Sequence, residues 1–329
     1  MESKGAGSGE MLAEREGEEM KGNVMQTIGD NIEKVIVGKR HIIDLVLTAL
    51  VAEGHVLLED VPGTGKTKLA RALAKSVEGK FSRIQFTPDL LPSDVTGLNY
   101  YNQKQGEFLF KAGPVFCNIL LADEINRAAP RTQSSLLECM EEKQVTTDGV
   151  TRSLEAPFFV LATQNPIENA GTFPLPEAQM DRFLMRLSLG MPDKQEELLI
   201  LERFRQEEPL QTLEPVAGVE DIRRAQREYR QIYVHPQLKE YLVEICQKTR
   251  HMGEVLGGVS PRGTIAFYQA VRAYAYIQGR DYVVPEDIKE LAVPVLAHRL
   301  ILGTGFLRGQ ELIEKLLAEI PVPTEEWKG

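Results

Sequence analysis

Residues 55–74, HVLLEDVPGTGKTKLARALA, constrain the fold of this chain more than any other stretch. A short apolar run at 56–58 precedes a glycine-rich, turn-forming segment, and apolar residues at helical spacing follow that segment. The pattern therefore predicts a buried strand, a loop and a helix, in that order. Backbone N–H groups at the start of such a helix converge with the positive end of its dipole, which favours a bound polyphosphate.

The loop between this strand and helix matches the phosphate-binding loop of nucleotide-binding proteins at all but one position. We predict that Lys66 reaches the β- and γ-phosphates and that the Thr67 hydroxyl meets Mg²⁺. Asp60 stands where the pattern has its first glycine, but Gly63 and Gly65 still allow the backbone to approach a ligand closely. The alternative, an ordinary glycine-rich turn, leaves the GKT triplet unexplained.

The composition is that of a soluble globular protein that is long enough for two domains. The chain has 329 residues, of which 43% are hydrophobic and 26% are charged. We expect no membrane span and no signal peptide. The three cysteines are widely spaced and form no CxxC pair, which predicts reduced thiols in the cytoplasm. The five histidines are not spaced as metal ligands are, which argues against a histidine-based metal site. A net charge of −10 weakens the case for a nucleic-acid partner.

Extended apolar stretches alternate with helical ones along the first part of the chain. Residues 1–22 are rich in Gly, Glu and Ser and are predicted to be a disordered tail. After the loop, strands are predicted at 84–86, 119–122, 158–163 and 184–189. This alternation predicts an α/β layer with a mainly parallel sheet, whose ligands gather at the carboxyl ends of the strands.

Polar residues follow two of these strands. Asp123 and Glu124 come at the end of the strand NILLA, where Asp123 would lie near the cation and Glu124 would orient and deprotonate an attacking water. Adjacent acids in a solvated loop are the alternative. Asn165 follows the next strand and either bonds the γ-phosphate or water, or marks an Asn-Pro turn, and both roles are compatible.

Two arginines are candidates for a contact with nucleotide. Arg182 precedes the last predicted strand, where it would reach into a neighbouring subunit's site or form an ion pair with Asp181 or Glu177. Arg262 lies in the first turn of a helix capped by Ser260, where a cation opposes the helix dipole. Either nucleotide phosphates or a nearby carboxylate would compensate Arg262.

A helical domain is predicted from about Pro192 onwards, because capped amphipathic segments replace the strands. Residues 236–250 carry one apolar stripe that we assign to the core. Pro285 is predicted to start another helix, and Pro294 to kink or break it.

The motifs described above, in this order and spacing, resemble those of the MoxR-type AAA+ ATPases, in the helix-2-insert branch. The resemblance runs from about residue 24 to the end and rests on LLEDVPGTGKT, FTPDLLPSDVTG, GPVFCNILLADEINRA, ATQNP, GTFPLPEAQMDRFLMR and SPRG. It implies an αβα nucleotide-binding core at 23–191, an all-α lid at 192–329, and a ring of six protomers. It also implies ATP and Mg²⁺ as cofactors and a chaperone-like role on partner proteins, which often contain a von Willebrand factor A domain.

The resemblance also assigns roles to single residues. Asn165 would be sensor 1, Arg182 the arginine finger and Arg262 sensor 2, with Lys66 and Glu124 completing the catalytic group. Thr67 and Asp123 would hold the metal. The expected nucleotide contacts are Val37, Gly38, Pro62, Gly63, Thr64, Gly65, Lys66, Thr67, Lys68, Asp123 and Arg262. A helix end is the alternative explanation for Gly38.

Two segments with polar centres are predicted to be hairpins, at 98–110 and 144–154. By resemblance they face the ring's pore or one of its surfaces, and the alternative is that they only fill the rim. The sequence as a whole predicts an ATP hydrolase, with a DNA-dependent motor and a slowly hydrolysing chelatase-type scaffold subunit as rival functions.

Overall fold

The computed structural model describes residues 24–165, 171–205, 208–303 and 308–323. The predicted tail, residues 1–22, lies outside them. The helices are α1 (24–33), α2 (Arg40–Val51), α3 (Lys66–Ser76), α4 (Pro92–Thr96), α5 (Pro130–Glu142), α6 (Glu177–Met180), α7 (Lys194–Phe204), α8 (Val219–Glu228), α9 (Pro236–Thr249), α10 (Pro261–Ile277), α11 (Pro285–Leu296) and α12 (Gly309–Glu319). Short 3-10 helices cover Ile125–Arg127, Tyr229–Gln231 and Ala297–Arg299.

The strands are β1 (Val56–Glu59), β2 (Val77–Glu78), β3 (Phe81–Gln85), β4 (Gly97–Asn102), β5 (Glu107–Ala112), β6 (Ile119–Asp123), β7 (Gln144–Thr147), β8 (Val150–Ser153), β9 (Phe159–Gln164), β10 (Met185–Leu187), β11 (Ala217–Gly218), β12 (Val255–Gly257) and β13 (Ile301–Leu302). Five of them form one sheet in the order β10-β1-β9-β6-β3, and every pairing in it is parallel. The predicted α/β fold class is confirmed.

Both faces of this sheet are buried, as a parallel sheet requires. Leu58, Leu121 and Leu161 point into one apolar cluster, which also contains α1, α2, α3 and the later helices. Leu57 and Leu120 point to the other face, into a cluster that contains α5. Alternation along each strand therefore builds an αβα sandwich.

The register of the sheet brings three strand ends together at its carboxyl edge. Glu59 pairs with Gln164, Ala122 with Ala162, and Gln85 with Asp123. Because of this register, the residues that end or follow β1, β6 and β9 lie side by side. Five of the predicted site residues come from these three positions: Lys66, Thr67, Asp123, Glu124 and Asn165.

After β10 the chain is mainly helical, with one pair of short strands, β12–β13, and a short strand β11 that pairs with β2 of the first part of the chain. Ser260 caps α10 by accepting a hydrogen bond from the Gly263 N–H at 3.2 Å. Of the two predicted effects of Pro294, a kink or a break, the break is wrong, because α11 continues to Leu296. Pro294 lies within that helix, whose flanking residues Val295 and Leu296 are fully buried and fix the last turn through packing.

Both predicted hairpins are present, as β4–β5 and β7–β8. They contact each other, because Asn99 Nδ2 donates to Asp148 Oδ2 at 2.7 Å and the Arg152 guanidinium lies 3.9 Å from the centre of the Phe110 ring.

Among the helices described, none combines the length and the apolar character that crossing a bilayer requires.

Candidate nucleotide-binding site

The phosphate-binding loop has the backbone shape that its glycines predict. Gly63 and Gly65 have φ angles of 90° and 97°, in the left-handed region that other residues adopt only at a cost. Gly65 is the N-cap of α3, so the helix begins at Lys66 and its free N–H groups face the loop. A side chain at either glycine would meet open space, so backbone conformation and the approach of a ligand are what require glycine here.

A cavity of about 380 Å³ adjoins this loop, a volume within the usual range for small-molecule sites. One side is apolar and comes from the turn before α2 and from the start of the helical part, namely Val35, Ile36, Val37, Pro192 and Ile200. The other side comprises Lys39 and the loop residues Gly63, Thr64, Gly65, Lys66, Thr67 and Lys68. The structure therefore brings Val37 to the phosphate-binding loop, as the sequence predicts.

Gly38 stands beside this cavity with a φ of +70°. A Cβ atom there would lie 2.1 Å from Glu196 Oε1, so both the backbone conformation and the space require glycine. Glu196 forms an ion pair with Lys39 at 3.0 Å. The turn at Gly38 and the start of α7 are therefore packed closely together.

Lys66 lies between two strand ends. Its ammonium donates to the backbone oxygens of Asp60 at 2.6 Å and Gln164 at 3.3 Å. Burial lowers the pKa of Lys66, while Asp60, Asp123 and other nearby acids act in the opposite direction. A partly buried cation held by two carbonyl groups is poised to exchange one of them for a phosphate oxygen.

Asp60 has a role that the phosphate-loop pattern did not predict. Its buried carboxylate accepts hydrogen bonds from Ser188 Oγ at 2.6 Å, the Leu189 N–H at 2.8 Å and the Gly190 N–H at 3.1 Å. These donors belong to the segment that follows β10. The first position of the loop is therefore occupied by a residue that holds a second loop in place.

Thr163 joins the two acids at the end of β6. Its hydroxyl donates to Asp123 Oδ1 at 2.6 Å and accepts from the Glu124 N–H at 2.9 Å. Glu124 has a φ of 58°, a strained conformation for a residue with a side chain. Thr163 thus fixes the turn that aims Glu124, although the sequence analysis assigned it no role.

The carboxylate of Glu124 also has side-chain partners. Gln85 Nε2 lies 2.7 Å from Glu124 Oε2, and Arg127 Nε lies 3.0 Å from the same oxygen. These contacts hold the candidate base in one orientation at the carboxyl edge of the sheet.

Mg²⁺ prefers oxygen ligands, and the predicted metal residues supply a hydroxyl from Thr67 and a carboxylate from Asp123. Asp123 Oδ2 accepts from Arg83 at 2.7 Å and Oδ1 from Thr163. Each of these oxygens retains a second lone pair. The donor set therefore fits a magnesium ion.

Asn165 lies where β9 ends, between the phosphate-binding loop and the two acids. It is buried, and its backbone oxygen is 3.5 Å from Asn126 Nδ2. The structure therefore places the predicted sensor at the same edge as Lys66 and Glu124.

Arg182 and Arg262 lie elsewhere, at the amino edge of the sheet. Arg182 precedes β10, which runs parallel to β1, and it lines a cavity of about 320 Å³ together with Arg262 and His55, the residue before β1. The phosphate-binding loop follows β1, and four strand residues span about 13 Å. Neither arginine is thus brought to the phosphate-binding loop of its own chain, and the cavity beside that loop has no contribution from Arg262 or Pro62.

One carboxylate binds both arginines. Arg182 Nε lies 2.8 Å from Glu141 Oε2, and Arg262 pairs with Glu141 Oε1. The hydrogen bond from Arg262 and the charge of Arg182 hold the pKa of Glu141 below its ordinary value. For Arg262 this is the carboxylate alternative of the sequence analysis, and for Arg182 the partner is Glu141 instead of Asp181 or Glu177.

The helical part holds the segment before β10 in place. Arg299, whose side chain is 3% exposed, lies 2.7 Å from Asp181 Oδ1 and donates to the backbone oxygens of Phe183 at 2.8 Å and Leu184 at 3.1 Å. Burial lowers the pKa of Arg299, and Asp181 opposes that effect. A buried ion pair therefore joins the helical part to the residue next to Arg182.

Comparison with known proteins shows to which family the chain belongs. Residues 55–185 match the ATPase family associated with various cellular activities (AAA), and residues 247–319 match the AAA lid domain. The chain is 43% identical to the MoxR1 chaperone of Mycobacterium tuberculosis over 305 residues, which cover 89% of this chain and 80% of that protein. It is 32% identical to MoxR of Paracoccus denitrificans, with coverage of 88% and 93%. The chain belongs to the MoxR family of AAA+ ATPases.

Two further similarities span nearly the whole MoxR-family chain. YeaC of Bacillus subtilis is 52% identical over 300 residues, covering 90% of this chain and 94% of YeaC. A crystal structure of a protein from Cytophaga hutchinsonii, assigned as an ATPase, superposes with a TM-score of 0.88 at 39% identity and covers 96% of this chain and 99% of the other. The predicted family is confirmed, and so is the order of an AAA domain followed by a helical lid.

The sequence analysis gave no role to Gln85, Thr163, Glu141 or Arg299, and gave Asp60 only a place in a pattern. Thr163 and Gln85 sit at strand ends, so the rule that ligands gather there could have found them. Glu141 and Arg299 lie in helical segments with no such signal, and only packing reveals their contacts.

Proposed function

We propose that this protein hydrolyses ATP in the cytoplasm as a ring of six copies, and that it remodels or matures partner proteins. The proposed ring rests on one observation: Arg182 and Arg262 share a carboxylate at the edge of the sheet opposite the phosphate-binding loop. Arginines in that position complete the nucleotide site of a neighbouring copy, which presents its own loop to them. Arg262 then acts on the neighbour together with Arg182, in place of the contact with its own nucleotide that the sequence predicts.

Each residue of the site has a role in this proposal. The loop N–H groups and Lys66 bind the β- and γ-phosphates, and the apolar side of the cavity at Val37 receives the base. Mg²⁺, held by Thr67 and Asp123, neutralises phosphate charge when bound. Glu124 takes the proton of the attacking water, and Asn165 orients that water or the γ-phosphate.

The proposed chaperone-like role rests on sequence similarity to a relative. The Mycobacterium relative is named a chaperone. Partner proteins with a von Willebrand factor A domain are the clients that the family resemblance suggests. The β4–β5 hairpin exposes Tyr101 at 54% and Phe108 at 72%, with their ring centres 5.3 Å apart, which offers a client an apolar contact.

A complementation assay tests the ring mechanism. Glu124→Gln should bind ATP and hydrolyse it roughly 10²–10⁴ times more slowly, as expected for a lost general base. Arg182→Ala should bind ATP and lose roughly 10³-fold or more in turnover. If the arginine acts on a neighbour, mixing these two inactive variants should restore turnover, since the nucleotide of an Arg182→Ala copy then meets an intact arginine.

Arg224→Ala is the matched control, because Arg224 also forms an ion pair with an acid, Asp221, but lies on α8. It should retain wild-type turnover. Size-exclusion chromatography establishes that the mixed variants assemble. Co-assembled variants that remain inactive, or a fully active monomer, would contradict the proposal.

A further inference from the structure

Asp60 contacts the phosphate-binding loop through its backbone and a second loop through its side chain. The Asp60 backbone oxygen accepts from Lys66 Nζ at 2.6 Å, and its N–H lies 3.4 Å from the Gln164 oxygen. Asp60 is 6% exposed, and its carboxylate accepts hydrogen bonds from three donors of residues 188–190. A ligand that orders the phosphate-binding loop would therefore also order the residue that holds the second loop.

This second loop, residues 188–193, is the linker between the AAA core and the helical part. It begins after β10 and ends at Asp193, which caps α7 through bonds of 2.8 Å to the N–H groups of Gln195 and Glu196. Gly190 within it has a φ of +66°, so the chain changes direction at a position that suits glycine. A cap at one end and the Asp60 carboxylate at the other hold the linker.

The linker also forms part of the nucleotide cavity. Pro192 and, on α7, Ile200 line the apolar side of that cavity. A residue that fixes the linker relative to the loop therefore fixes the distance between the base-binding and phosphate-binding sides.

We propose that Asp60 is a positioning residue that couples the phosphate-binding loop to the linker, so that nucleotide occupancy and linker order depend on each other. The proposal rests on the nucleotide site described above. It gives a physical reason for the departure from the phosphate-loop pattern: glycine at this position satisfies the loop but provides no acceptor for the N–H groups of Leu189 and Gly190. Three donors that converge on one buried carboxylate form a strong connection, because hydrogen bonds to a charged acceptor are about twice as strong as neutral ones.

The test compares Asp60→Gly, which restores the sequence pattern, with Asp60→Ala, which adds no backbone freedom. Both should bind a fluorescent ADP analogue about tenfold more weakly than the wild type, as expected for lost charge-assisted hydrogen bonds. Hydrogen exchange of the Leu189 and Gly190 amides should slow in the wild type when ADP is added. In both variants at saturating ADP, exchange of these amides should remain fast.

Ser188→Ala tests the same connection from the linker side and removes one of the three donors. It should weaken ADP binding less than Asp60→Ala does, and the two changes combined should cost less than the sum of the single changes. Asp221→Ala is the matched control, since it also removes a carboxylate that accepts a backbone N–H, that of Gly218 at 2.9 Å, but at the start of α8. It should retain both affinity and the ADP-dependent protection.

The outcomes separate the coupling from the nucleotide site itself. If the wild type does not bind the ADP analogue, the proposed function fails. If the wild type binds ADP and Asp60→Ala retains both its affinity and the ADP-dependent protection of the linker, the coupling is refuted while the nucleotide site stands. Loss of protection throughout the chain in Asp60→Ala would also refute the coupling, because it would show a purely structural role.

Discussion

Removal of the Asp181 carboxylate should destabilise the protein through Arg299. The guanidinium of Arg299 is buried, its Nε lies 2.7 Å from Asp181 Oδ1, and burial lowers its pKa. Asp181→Ala leaves this cation without its counter-charge. Removing one partner of a buried ion pair costs about 3–5 kcal/mol of unfolding free energy. Because backbone oxygens of Phe183 and Leu184 still accept from Arg299, we expect the lower limit, about 3 kcal/mol.

Thermal unfolding followed by calorimetry measures this cost. For a chain of this length, 1 kcal/mol corresponds to about 2 °C, so Asp181→Ala should lower the Tm by about 6 °C. The double variant Asp181→Ala with Arg299→Met should regain most of the loss, since an apolar side chain of similar length needs no counter-charge. Glu177→Ala, an exposed acid on the neighbouring turn, should shift the Tm by no more than about 1 °C. A shift below 2 °C for Asp181→Ala, or a double variant as unstable as the single one, would refute this reasoning.

Three further predictions follow from the structure. Burial lowers the pKa of His55 to about 4, so the unfolded chain binds more protons than the folded chain between about pH 6.5 and 4. The contribution of His55 to stability should therefore be full above pH 6.5 and fall by about 3 kcal/mol as the pH drops to 4. Urea titrations should show a smaller pH dependence of the unfolding free energy in His55→Gln, and an unchanged dependence would contradict the assignment. Thr163→Val keeps the side-chain shape but removes the hydroxyl that bonds the Glu124 N–H. Steady-state ATPase turnover should fall roughly 10–100-fold, as when a metal ligand loses its orienting partner, while ADP affinity is retained. Wild-type turnover in this variant would show that the hydroxyl does not position the base. Gly38→Ala should weaken ADP binding, because its Cβ would lie 2.1 Å from Glu196 Oε1. Adding Glu196→Ala should restore part of the affinity by relieving this contact. If affinity is not restored, the φ of +70° alone is the cause of the weaker binding.

Much of the site could be predicted from the sequence because it depends on local chemistry. The strand, loop and helix at 55–74 follow from an apolar run, two glycines with left-handed φ angles, and a helix that begins at Lys66. The acids after β6 and Asn165 after β9 meet at one edge because parallel strands in register align their carboxyl ends. Short-range sequence patterns and one rule of sheet topology were enough to predict that these residues lie together.

Only the tertiary structure shows which charged side chains pair with each other. Nothing near Glu141 in sequence indicates that it binds Arg182, 41 residues away, and Arg262, 121 residues away. The direction of α5, which carries Glu141 back to the amino edge of the sheet, decides that contact. The sequence located both arginines but not the edge on which they lie.

Asp60 shows the same division between local pattern and tertiary contact. The sequence predicts a phosphate-binding loop, since two glycines, Lys66 and Thr67 suffice for its pattern. Only the structure showed that the Asp60 carboxylate holds residues 188–190, which are about 130 positions further along the chain. The physical reason is that local sequence fixes the backbone shape of a loop, whereas the partner of a buried charge depends on which distant segments the packed core brings to it.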